Sequence, residues 1–233
     1  MSATDAYTGV DNLEVMDAAG RYRRYLLGLV ADVAGPPDDA LHLLDFGAGT
    51  ATHAVALHDL GYDVACTEID IALRSRLLDL GFDARPSATD FGTKVFDVVY
   101  SMNVLEHIDD DLGALRTLFD VARPGGKLVL YVPAFPMLYS TMDRKVGHVR
   151  RYRRRNLVDL VTAAGFRVDT CAYVDILGFP VTLLYKGIGS RRGDISTRSV
   201  GAYDRFVFPI SRVVDRVTGR FAGKNLALIG HRG

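Results

Sequence analysis

The sequence predicts an α/β fold in three layers, built on a doubly wound, seven-stranded sheet whose last strand is antiparallel. Short apolar runs that suit buried strands alternate with segments of helical hydrophobic period. The first such strand, around 41–44, runs into a turn with two glycines, Gly47 and Gly49, just before a helix. The second strand ends in two carboxylates, Glu68 and Asp70, about 20 residues beyond the glycines, which is typical of nucleoside-binding sheets.

The length of 233 residues and a hydrophobic fraction of 48% fit one globular domain with a sizeable core. We expect a single domain over 1–233 with four parts. These are an N-terminal cap helix at 10–34, a cofactor-binding core at 40–174, a helical insertion at 175–222 and the last strand at 224–230.

The charge and the cysteine content limit the partners and metal sites that we expect for this protein. Lysine and arginine number 28, as do aspartate and glutamate, so no global field attracts nucleic acid or a membrane. Cys66 and Cys171 lie in apolar, strand-like runs and are predicted to be buried thiols, and no spacing predicts a metal site. The polar N-terminus does not resemble a signal peptide, and no apolar run reaches the ~18 residues of a membrane span. A cytoplasmic protein is therefore expected.

The glycine turn is the predicted ligand site of the sheet. Asp45 lies two residues before Gly47, where its carboxylate can hold a cation or orient the loop, and Ala48 lies between the glycines. A dinucleotide-binding turn would carry a third glycine at position 52, which is Thr52, and this argues against a dehydrogenase.

The second strand supplies the predicted ribose contact. A carboxylate at this strand end can accept both ribose hydroxyl protons, and Glu68 is preferred over Asp70 for that role. Asp70 is expected to cap the helix that follows, around 72–80.

The fourth strand is predicted from Phe96 onward, and it runs out into Ser101, Met102 and Asn103. Ligands in open α/β sheets bind beyond the carboxyl ends of the strands, so these three residues are expected at the site. The next turn carries Glu106 and His107.

Three motifs between Gly47 and Val132 resemble class I S-adenosylmethionine-dependent methyltransferases. The glycine turn matches the acidic-x-G-x-G-x-G loop of that family, with Ala51 at the last glycine. Residues 96–107 match F-D-x-V-x-x-x-x-V-L-E-H, and 122–128 match the L-x-P-G-G-x-L hairpin except at the first position. The resemblance implies a Rossmann-like fold, S-adenosylmethionine as cofactor and S-adenosylhomocysteine as product.

The resemblance also implies roles for individual residues. Tyr22, or its neighbour Arg21, becomes a candidate for the methionine carboxylate, with a plain packing helix as the alternative. Asp90 is a candidate acceptor for the adenine amino group, or else an ordinary loop residue, and Ser101 to Asn103 would lie beside the sulfonium. His107 would either act on the acceptor or hold the turn in place. The implied cofactor contacts are Tyr22, Asp45, Gly47, Ala48, Gly49, Glu68, Ile69, Asp90, Ser101, Met102 and Asn103.

Residues 143–152 resemble the D-x-x-x-G-H-x-R-R-Y stretch of a bacterial subgroup whose genes often accompany glycan or lipid assembly. His148 is a candidate general base with a pKa near neutrality, and Arg151 a candidate for binding a phosphate or carboxylate in bidentate fashion. The alternative is a solvated approach to a helix, with Arg153 to Arg155 merely on the surface.

The insertion at 175–222 mixes apolar stripes with Arg191, Arg192, Arg198, Arg205 and Arg212. We expect a lid over the substrate site, with a homodimer face and a membrane-surface contact as alternatives.

The predicted function is methyl transfer from S-adenosylmethionine to an oxygen or nitrogen of a small molecule, and the arginines suit an anionic, glycan-related or lipid-related acceptor. Alignment of the reactants supplies most of such catalysis, with proton removal as an addition. Two alternatives remain: an RNA methyltransferase, against which the neutral charge argues, and a cofactor-binding interaction protein without catalysis. DNA is not an expected partner.

Overall fold

The computed structural model describes residues 19–188 and 197–233, and its centre is one seven-stranded sheet. The strand order is β3-β2-β1-β4-β5-β7-β6, and β7 runs antiparallel to both of its neighbours, while the other pairs are parallel. The doubly wound sheet with an antiparallel last strand is therefore confirmed. The strands are β1 (His42–Phe46), β2 (Asp63–Thr67), β3 (Ala84–Arg85), β4 (Phe96–Met102), β5 (Ala122–Pro133), β6 (Phe166–Val174) and β7 (Asn225–Arg232).

Helices alternate with the strands and cover the sheet. They are α1 (Gly20–Ala34), α2 (Thr52–Asp59), α3 (Ile71–Asp79), α4 (Asp111–Val121), α5 (Thr141–Lys145), α6 (Arg154–Ala163), α7 (Gly178–Ile188), α8 (Thr197–Ala202) and α9 (Phe208–Thr218), with a π-helical turn at Tyr203–Val207 before α9. Short 3₁₀ turns lie at Ala88–Phe91, Leu105–His107 and Pro136–Leu138.

Two apolar clusters, one on each face of the sheet, form the core. One packs α4 and α6 against β5 through Leu118, Leu128 and Leu157, and the other packs α1 and α2 through Leu26 and Leu57. Burial of apolar surface on both faces explains why the central strands read as nearly continuous apolar runs.

Several boundaries differ from the sequence expectation. Alternating apolar residues predict a fifth strand over 127–132, but β5 begins at Ala122, because Ala122 pairs with Phe96 across a register shift before the regular ladder resumes. The cap helix is described from Gly20, and its predicted first part, 10–18, lies outside the described residues. Cys66 and Cys171 are free and buried, as predicted. Within the described ranges, no helix is both long and apolar enough to cross a bilayer.

Two buried carboxylates hold the insertion at 175–222: Asp204 is bonded to α1, and Asp215 is bonded within the insertion itself. Asp204 accepts the backbone N–H groups of Arg21 and Tyr22, at 2.9 and 2.8 Å, and so holds the first turn of α1. Asp215 accepts the N–H groups of Asp175 and Ile176, both at 2.9 Å. The lid, homodimer and membrane-contact roles stay predictions, and Arg191 and Arg192 lie outside the described residues.

Candidate functional site

The glycine turn sits at the carboxyl edge of β1, where only glycine fits at one position. Gly47 has φ +80°, and an ideal Cβ there would lie 2.6 Å from a Val104 methyl on the loop after β4. The N–H groups of Gly47 and Ala48 donate to the carbonyl of Thr67, at 3.1 and 2.9 Å. The turn is thus locked against the end of β2, as a preformed binding loop requires.

Glu68 connects this turn to the second strand. Its Oε2 accepts the N–H of Gly49 at 2.8 Å, and its Oε1 accepts the N–H of Asp70 at 2.9 Å. Each oxygen keeps a second lone pair for a further donor. Asp70 instead turns to α3 and caps it, accepting from Ala72 and Leu73 at 2.8 and 3.0 Å, as expected.

Asp45 lies at the same edge, 2% exposed, and its Oδ2 has no hydrogen-bond partner. Burial raises the pKa of Asp45 to about 7, and the negative charge of Glu68 acts in the same direction. An unpartnered, buried carboxyl oxygen at the carboxyl edge of a sheet is suited to a cationic ligand group.

The replacement Asp45→Asn is expected to stabilise the ligand-free protein at pH 8 but not at pH 4. The native carboxyl holds its proton up to about pH 7, whereas the unfolded one ionises near pH 4, so native stability falls between these values and then stays level. Asparagine does not ionise and so avoids this loss of unfolding free energy. At about 1.4 kcal/mol per pKa unit, the loss amounts to a few kcal/mol at most. Urea unfolding at both pH values measures it, with exposed Asp159→Asn as the control. An equal effect of Asp45→Asn at both pH values would contradict the prediction.

Tyr22 of α1 lies beside the residue that follows β4. Its hydroxyl accepts a hydrogen bond from Asn103 Nδ2 at 3.3 Å, and its ring packs edge-on to Tyr131 and Phe208. Burial raises the pKa of the Tyr22 hydroxyl, which is therefore protonated. The structure thus brings together Tyr22 of α1 and Asn103, the first residue after β4. Arg21 has an exposed side chain.

Two of the predicted cofactor contacts, Asp90 and Ile69, lie at the surface. Asp90 is exposed, and its Oδ2 accepts the N–H of Ser87 at 3.2 Å in a capping box of the Ala88–Phe91 turn. Ile69 exposes 84% of its surface beside Glu68, which leaves an apolar face for a flat ring. Ser101 and Met102 are buried at the end of β4, and the Ser101 hydroxyl has no partner.

Beyond β4, three side chains converge: Glu106, His107 and His148. Each can bring one ligating atom within 4.8 Å of the others, and His148 Nε2 lies 3.7 Å from Glu106 Oε1. Glu106 is 0% exposed, and both of its carboxyl oxygens lack hydrogen-bond partners. Chemically, this cluster can hold a proton or a divalent cation.

Asp143 holds His148 and Arg151 together. Its Oδ1 lies 2.8 Å from His148 Nδ1 and 2.7 Å from Arg151 Nε, and its Oδ2 accepts from Arg151 Nη2 at 3.0 Å. Oδ2 also accepts the N–H of Ser140 at 2.8 Å. Burial alone would raise the pKa of Asp143, but the hydrogen bonds from His148 and Arg151 and the arginine charge hold it well below its usual range.

This arrangement corrects the role expected for Arg151. The sequence suggested that its guanidinium binds an acceptor phosphate or carboxylate. The side chain is only 8% exposed, its fork is bonded to Asp143, and Nη1 donates to the carbonyl of Ala134 at 3.3 Å. Arg151 therefore positions Asp143 and does not offer a free fork to a ligand.

Protonation differs within the cluster. Burial raises the pKa of Glu106 to about 8. Burial, with the nearby charge of His148, lowers the pKa of His107 to about 4. His107 is therefore neutral, and its ring also forms a hydrogen bond with the Gly147 backbone.

The 143–152 motif encloses the turn that carries Glu106. Val149 N–H donates to the Glu106 carbonyl at 2.9 Å, and Tyr152 Oη donates to the Leu105 carbonyl at 3.2 Å. Arg150 donates to Asp111 Oδ2 at 2.6 Å. The predicted surface arginines, 153–155, are exposed. The motif thus holds the end of β4 and His148 in one rigid arrangement.

A family model described as a methyltransferase domain matches residues 18–170. The chain belongs to this methyltransferase family. S-adenosylmethionine is the methyl donor of these domains, so the resemblance of the sequence motifs is confirmed at this level. The match covers the α1–β6 part of the methyltransferase, and thus every residue of the site described above.

Curated relatives and solved structures are consistent with this family. Demethylmenaquinone methyltransferase of Renibacterium salmoninarum is 29% identical over 129 residues, 53% of this chain and 52% of that protein. Ubiquinone biosynthesis O-methyltransferase of Caulobacter vibrioides is 33% identical over 107 residues, 40% and 41% of the two chains. The chain thus spans about half the length of these relatives, or less. A SAM-dependent methyltransferase of Thermotoga maritima, a possible histamine N-methyltransferase, has the same fold, with TM-score 0.65, 15% identity and coverage of 96% and 95%.

The site residues fit this cofactor. Glu68 keeps lone pairs for two hydroxyl donors, and Asp45 Oδ2 is a buried acceptor without a partner, suited to the cationic end of the cofactor. Both belong to the carboxyl edge at which Gly47 and Gly49 form the loop.

Sequence reasoning assigned no chemical role to Asp143 or to Glu106, although both stand in the quoted motifs. One signal in the sequence could have indicated the Asp143–His148 pair: Gly147 lies between the two residues and allows the chain to turn back. Nothing local indicated that Glu106 and His148 would meet.

Proposed function

We propose that this chain transfers the methyl group of S-adenosylmethionine to a hydroxyl oxygen of a small, lipid-like or aromatic acceptor. The observation that carries the proposal is the hydrogen-bonded pair Asp143–His148, which directs His148 Nε2 toward Glu106 beside the end of β4. The two relatives are a demethylmenaquinone methyltransferase and a ubiquinone biosynthesis O-methyltransferase, and the second of these favours an oxygen acceptor here.

In this proposal Glu68 accepts the ribose hydroxyls, and Asp45 faces the cationic end of the cofactor. Tyr22 and Asn103 line the path between cofactor and acceptor, Ile69 and Asp90 border the adenine, and Gly47 to Gly49 form the loop. When bound, the cofactor supplies a methyl group that its sulfonium charge already activates. The residues of the chain have to align the acceptor and handle the hydroxyl proton.

His148 acts on the acceptor hydroxyl through Nε2. Asp143 accepts the Nδ1 proton, which keeps the lone pair on Nε2, and Arg151 holds Asp143. As a base, His148 would accept the proton while the new C–O bond forms and the sulfur takes the electrons of the broken C–S bond. The neutral His107 packs edge-on to His148, at 4.7 Å between ring centroids, and would contact the acceptor next to it.

His148→Ala is expected to lower turnover by ~10²–10⁴-fold and to leave cofactor affinity unchanged, because the cofactor residues lie on other elements. Transfer of radiolabelled methyl groups to a panel of quinols, phenols and glycans measures turnover, and calorimetry measures cofactor affinity. His231→Ala is the matched control, since His231 pairs with Asp169 at 2.8 Å, away from the site. Parental turnover in His148→Ala would rule out this role, and methyl transfer only to amines would rule out an oxygen acceptor.

A further inference from the structure

We propose that Glu106, His107 and His148 bind one divalent transition-metal cation, which holds the acceptor hydroxyl. The role of this cation in holding the acceptor rests on the proposed function, whereas metal binding itself can be tested without methyl transfer.

The three side chains lie close enough together for one ion to bind all of them after small rotations. Glu106 and His107 are neighbours in the turn after β4, and His148 reaches them from the loop after α5. Ligand atoms around a tetrahedral or octahedral cation lie roughly 3 to 3.5 Å apart, given bonds of about 2.1 Å. The distance from Glu106 Oε1 to His148 Nε2 is 3.7 Å, so a small side-chain rotation closes the site.

Both histidines have the supporting bonds that metal ligands use. A ligating imidazole donates its second ring N–H to a carboxylate or a backbone carbonyl, which fixes the tautomer. His148 Nδ1 is bonded to Asp143, whose carboxylate also accepts a hydrogen bond from Arg151. The ring of His107 is bonded to the Gly147 backbone. The supporting residues thus come from the same motif that encloses the turn.

The burial of Glu106 also favours a bound cation at this position. Its side chain is completely buried, and neither carboxyl oxygen has a hydrogen-bond partner. Buried polar groups are nearly always paired, and a carboxyl group buried without a partner is costly. At 3.7 Å, His148 is too distant for a hydrogen bond. A cation between them satisfies both groups.

The donor set indicates the class of ion. Two imidazole nitrogens and one carboxylate suit Zn²⁺, Mn²⁺, Fe²⁺ or Co²⁺ better than Mg²⁺ or Ca²⁺, which prefer oxygen ligands. Three protein ligands leave at least one coordination position for the acceptor hydroxyl. The cation would occupy the Nε2 lone pair that a base would use, and it would lower the pKa of the bound hydroxyl so that its proton leaves to solvent.

The test is calorimetric titration of Zn²⁺, Mn²⁺ and Mg²⁺ into the chelator-treated 233-residue chain without a polyhistidine tag. We expect one equivalent of Zn²⁺ or Mn²⁺ to bind, weak or absent Mg²⁺ binding, and a visible absorption spectrum on Co²⁺ addition. Glu106→Gln and His148→Ala should lose this binding. The positioning variant Asp143→Asn should weaken it by about 10–100-fold. His231→Ala, which alters an exposed histidine–aspartate pair, should bind like the parent.

Two results would overturn the proposal: no stoichiometric binding by the parent, or binding that survives both Glu106→Gln and His148→Ala. Cofactor titration and methyl-transfer assays on the same samples separate the two claims. Methyl transfer without metal binding or metal dependence would contradict the cation site and leave His148 as the base. Metal binding without methyl transfer to any hydroxyl would instead contradict the proposed function.

Discussion

Glu68→Ala is expected to weaken S-adenosylmethionine binding by ~10²–10⁴-fold. In the proposed site the carboxylate accepts two ribose hydroxyls, and each charge-assisted hydrogen bond is worth about 1.5–3 kcal/mol. The same carboxylate accepts the N–H of Gly49 at 2.8 Å, so the variant also releases the glycine turn from β2. Both effects reduce affinity, and the core should persist because Glu68 lies beyond the end of β2.

Calorimetry with S-adenosylmethionine and S-adenosylhomocysteine measures this loss, and Asp70→Ala is the matched control. Asp70 is a neighbouring carboxylate that caps α3, so its loss should cost about 1 kcal/mol of stability with near-parental affinity. Glu68→Gln should lie between Glu68→Ala and the parent, because the amide keeps one acceptor oxygen. Parental affinity in Glu68→Ala together with weak binding in Asp70→Ala would show that Asp70 is the ribose carboxylate.

Asp143→Ala should cause the largest loss of stability among the site variants. Asp143 is 1% exposed and accepts hydrogen bonds from His148, Arg151 and Ser140. Its removal leaves the guanidinium of Arg151, 8% exposed, without a counter-charge. Breaking a buried pair in this way costs about 3–5 kcal/mol, which lowers Tm by roughly 10 °C in a domain of this size.

Chemical and thermal unfolding measure this loss. Asp159→Ala is the matched control, because its partner Arg155 is 92% exposed and lies 3.9 Å away, so the change should cost under about 1 kcal/mol. The double variant Asp143→Leu with Arg151→Met should recover much of the stability, since apolar groups remove both buried charges together. A loss in Asp143→Ala no greater than in Asp159→Ala would contradict the structural role given to this pair.

Local patterns were sufficient for the sheet, and they also indicated the residues proposed here to contact the cofactor. The alternation of strands and helices, the glycine turn and the strand-end carboxylates all lie within a few residues of the elements they define. Asp70 was correctly expected to cap the next helix because capping depends on the first turn alone. The boundary of β5 was wrong because a register shift beside Phe96, which depends on the partner strand, extends the ladder.

The amino-acid sequence by itself indicated the doubly wound fold through its periodicity. Its short motifs, through their resemblance to class I methyltransferases, implied the family and the antiparallel last strand. Only the tertiary structure decided how the acceptor side is arranged. It paired Arg151 with Asp143 instead of leaving it for a ligand, and it brought His148 to the unpartnered carboxylate of Glu106. The physical reason is that these contacts join β4 to a distant loop. Long-range contacts of this kind depend on how the packed elements meet, which local periodicity does not predict.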